Sequence, residues 1–96
     1  MYDQNVEVRF YATLRPIVGG KFIDVDIEGE ASVRRLLDAL TDRFPELGPL
    51  VWSGEGELRD FLKLFVNGRD VRHLQMLDTP VPADAIVDVF PPVAGG

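Results

Sequence analysis

The residues with the most chemistry to offer stand at the end of the chain, where Phe90-Pro91-Pro92-Val93-Ala94 is followed by Gly95 and Gly96. Neither glycine has a Cβ, so the pair presents an α-carboxylate on a thin stem that fits between the walls of a narrow active site. Activating such a carboxylate by adenylation requires room for ATP and then for an incoming nucleophile, and bulk at the last two residues would obstruct both. Terminal glycines also occur as frayed ends. The element that delivers them therefore decides what they mean.

No other constellation competes. His73 is the sole imidazole, and without a nucleophile motif beside it the residue reads as a surface or packing histidine. One histidine among scattered carboxylates does not make a metal-ligand set. Asp24, Asp26, Glu28 and Glu30 share one face at alternate positions, a spacing that fits an acid/base or cation site but fits an edge-blocking strand better. Gly19-Gly20 reads as a turn pair and lacks the lysine and helix of a phosphate-binding loop. The absence of cysteine excludes disulfides, thiolate metal sites, iron–sulfur clusters and a cysteine nucleophile. A carrier or binding protein is expected, rather than an enzyme.

The 96 residues are 46% apolar and 27% charged, the composition of an ordinary packed domain, so residues 1–96 are expected to form one domain with a flexible tail from about 91 to 96. Basic residues number 10 and acidic ones 16, giving a formal charge of −6. That balance disfavours nucleic acid and suits a basic protein surface. No apolar run is long enough to span a membrane, and the polar start with Asp3 lacks the form of a secretory signal. A cytoplasmic protein is expected.

The elements that must position the tail follow from hydrophobic period. Val6, Val8 and Phe10 alternate with Glu7, Arg9 and Tyr11, and Lys21 to Ile27 repeats the alternation, with the Gly19-Gly20 turn between. This predicts a hairpin. Val33, Leu36, Leu37, Leu40 and Phe44 then form one stripe of a helix, with Ser32 as N-cap and Pro45 as the stop; Arg34 and Asp38 are spaced to pair on the wet side but read as a solvated face. From Pro49 to Asp60 a surface connection with one docked aromatic, Trp52, is expected. Leu62, Leu64 and Val66 lead into Asn67-Gly68 and a return strand over Asp70-Val71-Arg72. After the Pro80 and Pro82 turn, Ala85 to Phe90 forms the last strand, with Val87 and Val89 on one face and Phe90 on the other.

Strand, strand, helix, strand, short strand, strand is the order of an α+β, ubiquitin-like β-grasp fold: a mixed sheet of four to five strands covered by one main helix. In that sheet the last strand lies between the first and third. Tyr11, Phe65 and Phe90, all of outward parity, then fall side by side as an apolar patch of the kind that marks a protein interface.

The tail Phe90-Pro91-Pro92-Val93-Ala94-Gly95-Gly96 resembles that of the MoaD/ThiS family of ubiquitin-like sulfur carriers, in particular the small subunits of molybdopterin synthases. Phe10-Tyr11-Ala12-Thr13-Leu14-Arg15, Ser32-Val33-Arg34-Arg35-Leu36-Leu37 and Val66-Asn67-Gly68 extend the likeness over nearly the whole chain. The resemblance implies a carrier with no stably bound cofactor. Its Gly96 carboxylate would be adenylated by a ubiquitin-activating-type enzyme that uses ATP, then converted to a thiocarboxylate. Gly95 and Gly96 are implied as the reactive end. Tyr11, Phe65, Phe90, Pro91, Pro92, Val93 and Ala94 are implied as the contacts with partners, among them a sulfur-acceptor enzyme such as the large synthase subunit. Leu14-Arg15-Pro16, Gly19-Gly20 and Asp70-Val71-Arg72 are also similar to carriers of cysteine biosynthesis, and the 49–60 connection to archaeal carriers that are conjugated to lysines. Carriers for cysteine synthesis or tRNA thiolation, a protein modifier, and a binding module that uses only the aromatic face stand as the alternatives.

Overall fold

The computed structural model describes residues 3–92. Strand β1 (Asp3–Phe10) runs antiparallel to β2 (Phe22–Glu28), with Val6 opposite Val25 and Arg9 opposite Phe22. The alternation has its expected effect. Val6, Val8, Phe10, Val25 and Ile27 are buried, while Asn5, Arg9, Asp24 and Asp26 are exposed.

The β1–β2 connection is more than the glycine turn read from the sequence. A 3-10 turn over Ala12–Leu14 leads into a short helix, α1 (Arg15–Val18), with Pro16 in its first turn, where a fixed φ and a missing N–H do no harm. Leu14 and Val18 are buried, so these turns close one end of the core. Gly19, at φ +80°, ends the helix in the left-handed conformation that costs glycine nothing.

Helix α2 (Val33–Arg43) begins where expected: the Ser32 hydroxyl oxygen accepts from the Arg35 N–H at 3.2 Å. Val33, Leu36, Leu37 and Leu40 are buried in the shared core, and burying each such side chain contributes about 1.5–3 kcal/mol. Arg34 and Asp38 form no ion pair, in keeping with the solvated face read from the sequence. The Arg34 guanidinium lies over the Trp52 ring, 5.6 Å from its centroid, a cation–π contact.

Pro45 ends α2 and opens a 3-10 turn over Pro45–Leu47, followed by the short helix α3 (Gly48–Val51). The 49–60 connection is better organised than a surface loop: Val51 and Leu58 are buried, and Trp52 bridges to Leu58. Its far end is held by Arg72, whose guanidinium donates to the carbonyls of Arg59 (3.0 Å), Asp60 (2.9 Å) and Leu62 (2.9 Å).

Strand β3 (Lys63–Val66) turns through Asn67 (φ +49°) and Gly68 (φ +83°) into β4 (Arg69–Asp70), the paired positive φ values of a type I′ hairpin. The return strand is thus earlier and shorter than the Asp70–Arg72 span read from sequence. The Asp70 carboxylate accepts from the Arg72 N–H at 2.9 Å and starts a 3-10 turn over Val71–His73, a local bond that replaces the ladder.

Strand β5 (Ile86–Phe90) pairs in parallel with β1 and antiparallel with β3. The sheet order is β2-β1-β5-β3-β4, and α2 packs across one face. This is the β-grasp fold.

Candidate functional site

Because β5 lies between β1 and β3, outward-facing residues of three strands meet where β5 ends. Phe90 stands opposite Lys63, and Asp88 stands opposite both Phe65 and Arg9. The Tyr11 ring stacks on Phe90 with centroids 4.2 Å apart and planes 13° apart. Phe65 meets Phe90 edge-on, at 5.6 Å and 88°. Both are favoured arrangements for ring quadrupoles, so the three half-buried rings form one continuous patch on the open face of the sheet. The juxtaposition expected from strand parity is present. The Trp52 segment does not cover it, since Trp52 packs on α2, with its Nε1 3.5 Å from the Thr41 hydroxyl, on the other side of the sheet.

Polar contacts fix the patch from beneath. The Tyr11 hydroxyl donates to Asp88 Oδ1 at 2.7 Å. That bond, with partial desolvation, raises the Tyr11 pKa, because ionisation would set a phenolate against the carboxylate. The Arg15 guanidinium sits 5.5 Å from the Tyr11 centroid, and its Nε donates to the Phe10 carbonyl at 2.9 Å. Arg9 Nε donates to Glu7 Oε2 at 2.6 Å, the one ion pair among the described residues, and this hydrogen bond raises the Arg9 pKa.

Pro91, half-buried, and Pro92, exposed, leave the end of β5 beside these rings. Val93, Ala94, Gly95 and Gly96, expected to carry the chemistry and its partner contacts, lie outside the described residues. His73 is exposed at the end of its 3-10 turn. Asp24, Asp26 and Glu28 line the exposed edge strand β2, where Asn5 Nδ2 donates to Asp26 Oδ1 at 2.9 Å. Among the described residues no cluster of three or more His, Asp or Glu side chains is arranged to hold a metal ion. No helix among them is long and apolar enough to cross a membrane.

Phe22, not singled out in the sequence, pairs with Arg9 and therefore shares the outward face with the aromatic patch.

A family model described as the ThiS family matches residues 8–96. Small archaeal modifier protein 3 of Haloferax volcanii is 38% identical over 93 residues, covering 96% of this chain and 99% of the relative. A putative sulfur carrier protein of Archaeoglobus fulgidus is 35% identical over 74 residues, 76% of this chain and 84% of the relative. Among solved structures, small archaeal modifier protein 1 of Haloferax volcanii superposes with a TM-score of 0.84 at 33% identity, over 96% of this chain and 99% of that one. A putative molybdopterin converting factor subunit 1 of Pyrococcus furiosus gives 0.77 at 30% identity, over 94% and 99%.

Proposed function

The chain belongs to the ThiS family, and from that premise we propose that it is a ubiquitin-like sulfur carrier whose Gly96 carboxylate is the reactive group. A ubiquitin-activating-type enzyme binds the aromatic face and takes the tail into its active site. The Gly96 carboxylate attacks the α-phosphorus of ATP and pyrophosphate leaves. A sulfur nucleophile then adds at the acyl carbon and displaces AMP, giving the thiocarboxylate. The carrier itself contributes no catalytic group; Gly95 and Gly96 keep the acyl carbon approachable from both sides. The observation that carries this reading is the central strand β5, which ends in the Tyr11–Phe90–Phe65 patch and continues into the diglycine.

For the destination of the sulfur we propose a pterin precursor held by the larger subunit of a molybdopterin synthase. The Pro91-Pro92 pair and the likeness to the Pyrococcus furiosus protein support that reading. The identity with small archaeal modifier protein 3 supports a second use of the same adenylated end, transfer to lysine amines of other proteins.

The deciding measurement is the intact mass of the protein after incubation with ATP, a sulfide donor and the native activating enzyme. Exchange of one terminal oxygen for sulfur, mapped to Gly96 and lost when Gly96 is deleted from an otherwise folded chain, is the expected result. An unmodified tail in the presence of a competent enzyme would overturn the carrier reading. Diglycine remnants on lysines of other proteins would establish the modifier use.

A further inference from the structure

On the β2 side of the aromatic patch lies a shallow notch of about 450 Å³, bounded by Tyr11, Phe22, Lys21, Arg15 and the Glu7–Arg9 pair. Phe22 is 55% exposed, the most exposed large apolar side chain among the described residues. An exposed phenyl ring thus stands at the rim of the aromatic face.

The charge around it is distinctive. Glu7 and Arg9 neutralise each other through their ion pair. Arg15 is held in place by the Phe10 carbonyl and the Tyr11 ring, and neither it nor the exposed Lys21 meets a carboxylate among the described residues. Two cations with no ion-pair partner among the described residues thus flank an exposed phenyl ring on a chain whose formal charge is −6. Further along β2 the outward residues are Asp24, Asp26 and Glu28, so the strand changes sign along its length: cationic toward the end of β5, anionic at the far end.

We infer that this notch is a second docking anchor, which receives an acidic side chain, set beside an apolar pocket, of the protein that takes the tail. The inference rests on the carrier reading, because it extends the footprint of the same partner. Lys21 and Arg15 pair with the carboxylate, and Phe22 enters an apolar pocket beside it. The Lys21 carbonyl accepts the Phe10 N–H at 2.8 Å, one residue before Tyr11, so the anchor is rigidly linked to the rings at the root of the tail. A partner with an acidic rim around its tail-accepting mouth is attracted by this end of β2 and repelled by the other. The encounter is therefore oriented tail first.

The test is the binding of the full chain to the recombinant adenylating enzyme of the same cell, measured by biolayer interferometry at low and high salt. Lys21→Glu is expected to weaken binding about tenfold, chiefly in the on-rate and with a flatter salt dependence, whereas Lys21→Arg binds as wild type. Phe22→Ser is expected to weaken it about tenfold, chiefly in the off-rate. Asp26→Asn, at the far end of β2, is expected to raise the on-rate by no more than about twofold and to leave the off-rate unchanged. Wild-type binding by both Lys21→Glu and Phe22→Ser, alongside loss of binding by Phe90→Ala, overturns the notch and leaves the carrier reading intact. Failure of the wild-type chain to bind the enzyme overturns the carrier reading itself.

Discussion

Replacing Phe90 by alanine separates a docking role from a structural one, because the two losses differ in size. Within the fold, Phe90 makes the stack on Tyr11 and the edge contact with Phe65, and such pairs are worth about 0.5–1.5 kcal/mol each. The ring is only half-buried, so the loss falls below the roughly 3–5 kcal/mol of a core Phe→Ala change and should be about 2 kcal/mol. For a domain of this size that lowers Tm by about 8–16 °C and, against about 5–15 kcal/mol of total stability, leaves the chain folded at 25 °C. At the partner surface, an aromatic anchor near the centre of an interface costs about 2 kcal/mol or more when truncated, which is about thirtyfold in Kd. Circular-dichroism melts and isothermal titration calorimetry with the adenylating enzyme measure the two effects on one sample. Phe10→Ala is the contrast: Phe10 is 1% exposed, so that variant should lose stability and binding together. A fall in Tm of more than about 20 °C for Phe90→Ala would assign the ring to the core. A Kd within about twofold of wild type would remove it from the docking surface.

Three further outcomes are expected. Since Asp88 holds the Tyr11 hydroxyl and raises its pKa, the stability from that contact is complete below about pH 10 and is lost as pH rises through the raised folded-state value; phenolate absorbance in a Tyr2→Phe variant should titrate above 10.0, and Asp88→Asn should bring the midpoint down. An ordinary midpoint with Asp88 intact would contradict the hydrogen bond. Arg72→Ala strands three backbone carbonyls and should cost about 2–4 kcal/mol, with hydrogen-exchange protection falling first around residues 59–62. Arg72→Lys should rescue little, since an ammonium cannot span that fork, and full rescue would argue against the geometry. Ser32→Ala should lower stability in urea by about 1 kcal/mol while Ser32→Asp retains it, as the cap to the Arg35 N–H requires; equal stability of the three would deny the cap a role.

What could be read from sequence was whatever a period reports. Val6, Val8 and Phe10 announce a strand with one buried face, and Val33, Leu36, Leu37 and Leu40 announce a helix with one buried stripe. Once the β-grasp order is drawn, Tyr11, Phe65 and Phe90 must become neighbours, because strand order and parity together fix which side chains meet. Contacts without a period were hidden. Leu14 and Val18 belong to turns too short to repeat, in a stretch marked by Pro16 and two glycines, so the helical α1 looked like a simple turn. Arg72 reaches carbonyls 10 to 13 residues away, a distance no local pattern encodes. Arg34 has an acidic neighbour one turn on but takes the Trp52 ring instead, since tertiary packing outweighs the few tenths of a kcal/mol of an exposed helix pair. Phe22 was masked by its company: it begins a row whose next members are Asp24 and Asp26, and the row read as an edge-blocking acidic face.

The setting of β5 also determines how the molecule bears load. A pull applied at Pro92 runs along a strand that is bonded on both flanks, to β1 on one side and β3 on the other. Its ladder bonds lie across the direction of pull, so they are sheared together instead of being unzipped one after another, and the strands that could peel away singly, β2 and β4, stand at the edges of the sheet. Anything that draws the chain by its C-terminal end, whether a narrow channel or an attached cargo, therefore tugs on the middle of the sheet, and the domain resists being unravelled from the end by which it is handled.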